Sequence, residues 1–216
     1  MKKLVLDVPK SDEGERLDRF IAERGRISRG EARRVLERGG VWIDQQRVKI
    51  ASRPVFPGQQ ITVVLEEAGR ATPEAFALSQ ERVLFEDDAV IAVDKPAGIA
   101  AQATLGSDAG NLLSAASAWA GVELGIVHRL DLETSGVTVF GRTRAATSAL
   151  AAAFRDGKAK KTYLALVAGA LPDSGTIDRA IRGDPARKGS YTTGDEGAPS
   201  VTHFRVLARK GPVALV

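Results

Sequence analysis

Gly125-Ile126-Val127-His128-Arg129-Leu130-Asp131-Leu132-Glu133-Thr134-Ser135-Gly136 places a carboxylate and a guanidinium in a turn between two apolar segments. Extended backbone from Gly125 to Asp131 has a side-chain period of two, which puts Arg129 and Asp131 on one face and Ile126, His128 and Leu130 on the other. A turn pinned in this way presents an acid beside a cation able to contact a base. Taken alone, Asp131 has a second reading: it can cap a turn with Thr134 and Ser135, because short oxygen-bearing side chains bond nearby backbone amides. The sequence around the stretch has to separate the two.

At 216 residues the chain is long enough for two modest domains or one large one, and 44% hydrophobic residues is ordinary for a globular protein. With Cys 0 there is no disulfide, thiolate metal site or cysteine nucleophile, and His 2 speaks against a histidine-rich metal centre, so no metal is expected. The start, Met1-Lys2-Lys3-Leu4-Val5-Leu6-Asp7, has the positive flank of an export signal, but its apolar run breaks at Asp7 and Pro9. No apolar stretch approaches the roughly 18 residues that span a bilayer. A soluble cytoplasmic protein without a membrane partner is expected.

The charge is unevenly placed. Between Gly14 and Arg53 eleven basic residues face six acidic ones, a surplus of five, while the whole chain carries +4, so the remainder sums to −1. A cationic block recruits polyanions by charge neutralisation and counterion release. Within it, Leu17, Phe20 and Ile21 follow the i, i+3, i+4 pattern of one helical face and leave Arg16, Arg19 and Glu23 for solvent. Ser28-Arg29-Gly30-Glu31 has the spacing of a capping box, Ala32, Val35 and Leu36 supply the buried stripe of a second helix, and Gly39-Gly40 stops it. On its other faces Arg29 with Arg33, and Arg34 with Arg38, are i, i+4 neighbours that form two short rows of guanidinium groups. Val41-Trp42-Ile43, a polar turn at Asp44-Gln45-Gln46, and Ile61 to Leu65 after Pro57-Gly58 predict strands of a small sheet.

Composition alone leaves such an arginine face open to being merely solvated. The order of elements goes further. Leu17-Asp18-Arg19-Phe20, Ser28-Arg29-Gly30-Glu31-Ala32 and the strand Val41-Trp42-Ile43-Asp44 resemble the RNA-binding domain first known from the fourth small-subunit ribosomal protein, also called the alpha-L motif. The resemblance covers Arg16 to Leu65. It implies that Arg16, Arg19, Arg29, Arg33, Arg34 and Arg38 meet a folded RNA through phosphate and shape contacts.

Residues 66–80, with Glu66-Glu67, Ala68-Gly69 and Thr72-Pro73 and no sustained apolar period, predict a linker. Beyond it, Val83-Leu84-Phe85 and Val90-Ile91-Ala92-Val93 flank the charged turn Glu86-Asp87-Asp88 as a hairpin, which Asp94-Lys95-Pro96-Ala97-Gly98 ends. Leu112, Leu113, Ala116 and Trp119 predict a short helix, Val137 to Phe140 a strand, and Ala146, Leu150, Ala153 and Phe154 a helix ending near Gly157. Lys160 to Val167 and Ser200 to Leu207 read as strands around a polar, glycine-rich segment, Arg182 to Pro199, expected as a flexible loop. A phosphate-binding loop is rejected there, because Lys188 precedes Gly189 where that motif needs the glycine first. Taken alone, Lys95 is a turn lysine and Tyr163 a strand aromatic in the core.

In order, Glu86-Asp87 with Lys95-Pro96-Ala97-Gly98, Gly125 to Asp131 with Thr134-Ser135-Gly136, Lys161-Thr162-Tyr163-Leu164-Ala165-Leu166-Val167-Ala168-Gly169, and Ala198-Pro199-Ser200-Val201-Thr202-His203-Phe204 resemble the RluA family of pseudouridine synthases. The resemblance covers essentially everything after Glu81. It implies an α+β chain with a small RNA-binding domain at 1–65 (core 14–65), a linker at 66–80, and a catalytic domain at 81–216 built on a mixed, mainly antiparallel sheet with flanking helices. The activity implied is isomerisation of a uridine already in RNA, ribosomal in the first place with transfer RNA left open, without a cofactor and without an obligate protein partner. Asp131 matches the catalytic aspartate of the family, and an aspartate is ionised near neutrality, as a nucleophile or base must be. Arg129 matches a residue that helps displace the target nucleotide, and Tyr163 the active-site tyrosine that stacks on the flipped base. Lys95 is the weaker candidate, a structural or backbone-contacting residue.

One departure stands beside the match. In the family, the strand that Pro212 to Val216 begins continues into Gly-Arg-Thr-His-Gln-Ile-Arg, whose last arginine pairs with the catalytic aspartate, and no such stretch occurs here. A synthase domain shortened at its C-terminus is therefore expected. The rival expectation is a non-catalytic RNA-binding protein with an inert second domain.

Overall fold

The computed structural model describes residues 2–65, 76–187 and 190–216. The chain divides into two compact units, Met1–Ala159 and Lys160–Val216. Within the first unit the described residues build two separate hydrophobic cores, one drawn from Val8 to Leu65 and the other from Leu78 to Phe140.

The first core is closed by β1 (Lys2–Asp7), α1 (Leu17–Gly25), α2 (Arg29–Glu37), β2 (Val41–Ile43), β3 (Gln46–Arg47) and β4 (Gln60–Leu65), with sheet order β1-β4-β2-β3. Leu17, Phe20 and Ile21 of α1 and Ala32, Val35 and Leu36 of α2 are buried, as their spacing predicts, and pack on Val41, Val55, Ile61 and Val63. The Ser28 hydroxyl accepts the Glu31 amide at 3.1 Å and caps α2. Gly39, at φ 84°, and Gly40 end that helix, and they also admit the 106–108 segment: a Cβ would lie 2.8 Å from Asp108 Oδ1 at Gly39 and 2.9 Å from Gly106 O at Gly40. Strand β1 was not foreseen. It pairs along its whole length with β4, from Lys2 opposite Leu65 to Asp7 opposite Gln60, and turns Leu4 and Leu6 toward the core.

Residues 66–75 of the expected linker lie outside the described residues. By Phe76 and Leu78 the chain already packs on the second core, so residues 76–80 do not behave as a linker. That core is covered by β5 (Val83–Glu86), β6 (Val90–Lys95), α3 (Leu112–Ala120), β7 (Gly125–Ile126), β8 (Gly136–Gly141) and α4 (Arg144–Arg155), with antiparallel sheet order β5-β6-β8-β7. Asn111 caps α3 by accepting the Ser114 amide, and Thr143 caps α4 by accepting that of Ala146. Ile91, Val93, Leu112, Ala116 and Phe140 are fully buried between α3 and the sheet.

The second unit holds β9 (Leu166–Ala168), β10 (Ser174–Asp178), β11 (Ile181–Gly183), β12 (Tyr191–Thr193), β13 (Val201–Arg205), β14 (Ala208–Lys210) and β15 (Val213–Leu215). They pair as β14-β15-β9, β10-β13 and β11-β12. The strand expected over Lys160 to Val167 is limited to β9, extended by the reciprocal bonds of Ala165 with Val216 at 3.0 and 2.9 Å. The segment Arg182 to Pro199 corrects a loop expectation: Ile181↔Thr193 to Gly183↔Tyr191 form a hairpin, although Lys188 and Gly189 within it lie outside the described residues. Polar β-formers such as Thr192 and Thr193 carry no apolar alternation, so only the pairing reveals the strands. Among the described residues, no helix is long and apolar enough to cross a membrane.

Candidate active site

The turn that carries Asp131 leaves the end of β7 and returns into β8, beside the point where β6 ends at Lys95, which is opposite Gly136. Residues 127–131 are not regular strand, and the alternation holds only from His128 on: Arg129 and Asp131 are exposed, whereas Ile126, Val127, His128 and Leu130 are partly buried. The turn is closed by the Thr134 amide, which donates to the backbone carbonyl of Asp131 at 3.1 Å. The carboxylate does not cap that turn, since among the described residues it accepts no hydrogen bond and forms no ion pair.

The loop is held on both sides of the 129–131 segment. Upstream, β7 stops at Ile126, and the His128 ring supplies the next acceptor: its Nε2 takes the Val139 amide of β8 at 3.0 Å. Acceptance at Nε2 requires that nitrogen to be unprotonated. The ring also stacks on Phe154 of α4, centroids 4.4 Å apart and planes 21° apart. Downstream, the Leu132 carbonyl accepts the Gly98 amide at 2.8 Å and the Lys95 ammonium at 3.1 Å. Lys95 is wholly buried, and its Nζ also donates to Ile99 O at 2.7 Å and Pro96 O at 3.1 Å. Burial pulls its pKa below the ordinary lysine value, against the opposing fields of Glu133 and Asp131. Lys95 is thus the hub joining two loops, in keeping with the structural, backbone-contacting role expected of it. Tyr163 belongs to the second unit, where it is 56% exposed and so does not fill a core.

The arginines of the first core fall into three groups. Arg16, Arg29 and Arg33 converge on one carboxylate, Asp18, whose side chain is fully buried. Burial alone would raise the pKa of Asp18, but hydrogen bonds from Arg16, Arg33 and Arg29 hold it well below the usual carboxylate range. Arg19 pairs with Glu23 at 2.9 Å and Glu15 at 3.7 Å on the exposed side of α1, and Arg34 is exposed on α2. Arg38 departs from the expected second row: as the residue that ends α2 it turns inward and donates to Val64 O at 2.9 Å, while its own carbonyl accepts the Asp108 amide. Asp108 in turn is held by Lys49 at 2.7 Å and Arg47 at 3.4 Å, and Arg47 also donates to Thr104 O and covers the Trp42 ring at 4.5 Å. The cationic block is therefore bonded to the loop that follows the Lys95 turn.

Residues 89–216 match the RNA pseudouridylate synthase family, and residues 15–61 match the S4 domain. The chain belongs to the RNA pseudouridylate synthase family. It is 35% identical over 211 residues to the ribosomal large subunit pseudouridine synthase D of Xanthomonas campestris pv. campestris, covering 94% of this chain and 62% of that protein. An uncharacterized RNA pseudouridine synthase of Chloroflexus aurantiacus is 35% identical over 220 residues, covering 98% of this chain and 69% of the relative. The chain thus spans about two thirds of the length of these relatives. The solved structure of human RNA pseudouridylate synthase domain containing 4 superposes with a TM-score of 0.50 at 24% identity, covering 62% of this chain and 57% of the other, and shares the fold.

Proposed function

We propose that this chain isomerises uridine to pseudouridine in large-subunit ribosomal RNA, with Asp131 as the catalytic carboxylate. The observation that carries this is the loop: an exposed Asp131, whose carboxylate accepts no hydrogen bond and forms no ion pair among the described residues, follows an exposed Arg129 in a stretch pinned by His128 and by Lys95 through Leu132. Preorganisation of this kind lets a carboxylate meet a reacting nucleoside without first breaking bonds of its own. The reaction breaks the bond from the sugar to N1 of uracil, forms one from the same sugar carbon to C5, and returns the proton lost at C5 to the base. It is redox neutral and calls for no cofactor. Arg129 carries a planar cation able to occupy the stack that a flipped nucleotide vacates. Tyr163 is proposed to stack on the flipped uracil, a role for which its ring must be exposed.

The ribosomal substrate rests on the name of the Xanthomonas relative. Arg16, Arg19, Arg29, Arg33 and Arg34 are proposed to hold the RNA backbone, with Arg38 left out because its guanidinium is committed to Val64 O. In this proposal 1–65 is the RNA-binding part and 81–216 the catalytic part of a cytoplasmic protein. The test is carbodiimide-based primer extension on ribosomal RNA treated with the full chain. Uridine conversion by wild type and none by Asp131→Asn supports the proposal. Binding without conversion by wild type refutes it.

A further inference from the structure

We propose that Asp18 is a positioning residue for RNA binding, which presets Arg16, Arg29 and Arg33 as one platform for the backbone phosphates of a folded RNA. The inference rests on the reading of the arginine face as RNA-binding. Asp18 sits one residue into α1, Arg16 immediately precedes that helix, and Arg29 and Arg33 lie one turn apart on α2, so a single carboxylate ties the two helices together. Its Oδ2 accepts Arg33 Nε at 2.9 Å and Arg29 Nε at 3.1 Å, and its Oδ1 accepts Arg16 Nε at 3.2 Å. The Asp18 side chain has no exposure while the three arginine side chains retain 44–49%. The anion is therefore inside and the outer ends of the cations are outside.

Arg29 and Arg33 engage Asp18 through Nε, which leaves their terminal nitrogens for bidentate phosphate contacts. Among the described residues Asp18 is the only acid paired with either. Three cations against one anion leave a local surplus of positive charge on a surface whose geometry is already set. An unrestrained arginine gives up much rotamer freedom on binding, and a prefixed one gives up less. By charge alone a carboxylate opposes a polyanion, so positioning and simple electrostatics predict opposite signs when Asp18 is neutralised.

The experiment measures binding of the full chain to an in vitro transcript of large-subunit ribosomal RNA across a salt series, for wild type, Asp18→Asn, Arg29→Ala/Arg33→Ala and the triple variant, each checked for folding by thermal denaturation. The arginine pair should weaken binding about tenfold and lower the slope of log affinity against log salt by about 1.4–1.8, as expected for two lost phosphates. Asp18→Asn should also weaken binding, by about fivefold, although it adds net positive charge. In the background lacking Arg29 and Arg33 the same substitution should change affinity less than about twofold, because two of the three arginines it acts through are gone and only Arg16 remains. Unchanged or tighter binding by Asp18→Asn, with the arginine pair still weakening, overturns the positioning role and leaves the arginine face intact. Equal losses in both backgrounds assign Asp18 a general structural role and overturn it as well. No effect of the arginine pair refutes the RNA-binding reading itself. Should Asp18→Asn not fold, Asp18→Glu keeps the charge and displaces the platform: weaker binding supports the inference and wild-type binding refutes it.

Discussion

Lys95→Met removes one ammonium group and keeps most of the stem that fills the space between the turn after β6 and the Asp131 loop. Three carbonyl oxygens lose a donor. Leu132 O keeps the Gly98 amide at 2.8 Å, but among the described residues Pro96 O and Ile99 O keep no other partner. A fully buried acceptor left unsatisfied costs about 1–3 kcal/mol, and Pro96 and Ile99 are partly buried, so each of their carbonyls costs toward the lower end of that range. Relief from burying a cation offsets part of this, and a net loss of about 1–2 kcal/mol is expected. The catalytic effect should exceed the stability effect, because the ammonium is one of two donors that fix Leu132, the residue next to Asp131. A displacement of about 1 Å at a reacting group can lower turnover about a hundredfold. The arginine face lies on other elements, so affinity for RNA should stay within about twofold of wild type. Urea denaturation measures the first quantity, and single-turnover conversion at saturating enzyme with a parallel binding isotherm measures the others. A variant of wild-type stability with unchanged turnover would refute the assignment of Lys95 as the hub of the loop, and a loss confined to RNA affinity would place its effect elsewhere.

Two further outcomes follow from the packing and the charges. A Cβ at Gly141 would lie 2.6 Å from the Thr147 amide nitrogen and 2.7 Å from its Cα, both backbone atoms of α4, so Gly141→Ala should destabilise by about 1–3 kcal/mol in thermal or urea unfolding; wild-type stability would show that α4 can yield. The pKa of Asp18 is lower folded than unfolded, so its stabilisation is complete above the unfolded value near 3.8 and is lost as pH falls toward the folded one. The stability gap between wild type and Asp18→Asn should accordingly narrow from about pH 5 downward, and a gap independent of pH would contradict a carboxylate held ionised by arginines.

How far the sequence reached varied with the range of the interactions involved. Leu17, Phe20 and Ile21, and Ala32, Val35 and Leu36, were placed inside by helical spacing, and Ser28 by a cap within its own helix, because these are interactions between residues three or four apart. The hairpin of β5 and β6 followed from two apolar runs about a charged turn. Strand β1 was hidden because its partner β4 lies more than fifty residues away and its own Lys2-Lys3 start resembles an export flank. Asp18 read as one more offsetting acid, since its burial depends on Arg29 and Arg33 arriving from another helix. His128 was visible as a residue and not as a role, and Lys95 as a backbone-contacting residue without its partner: Val139 and Leu132 are brought to them by sheet pairing and loop packing.

By itself, the sequence determined the α+β class, the cationic N-terminal helices, and the place of Asp131 and Arg129 in a turn between apolar segments, because local periodicity, capping and charge are properties of neighbouring residues. Only the tertiary structure decided that Asp131 is left exposed by a loop fastened through His128 and Lys95, that Arg38 faces inward, and that Asp18 draws three arginines together. Those outcomes depend on which buried polar groups find partners, and the partners lie on other elements of the fold.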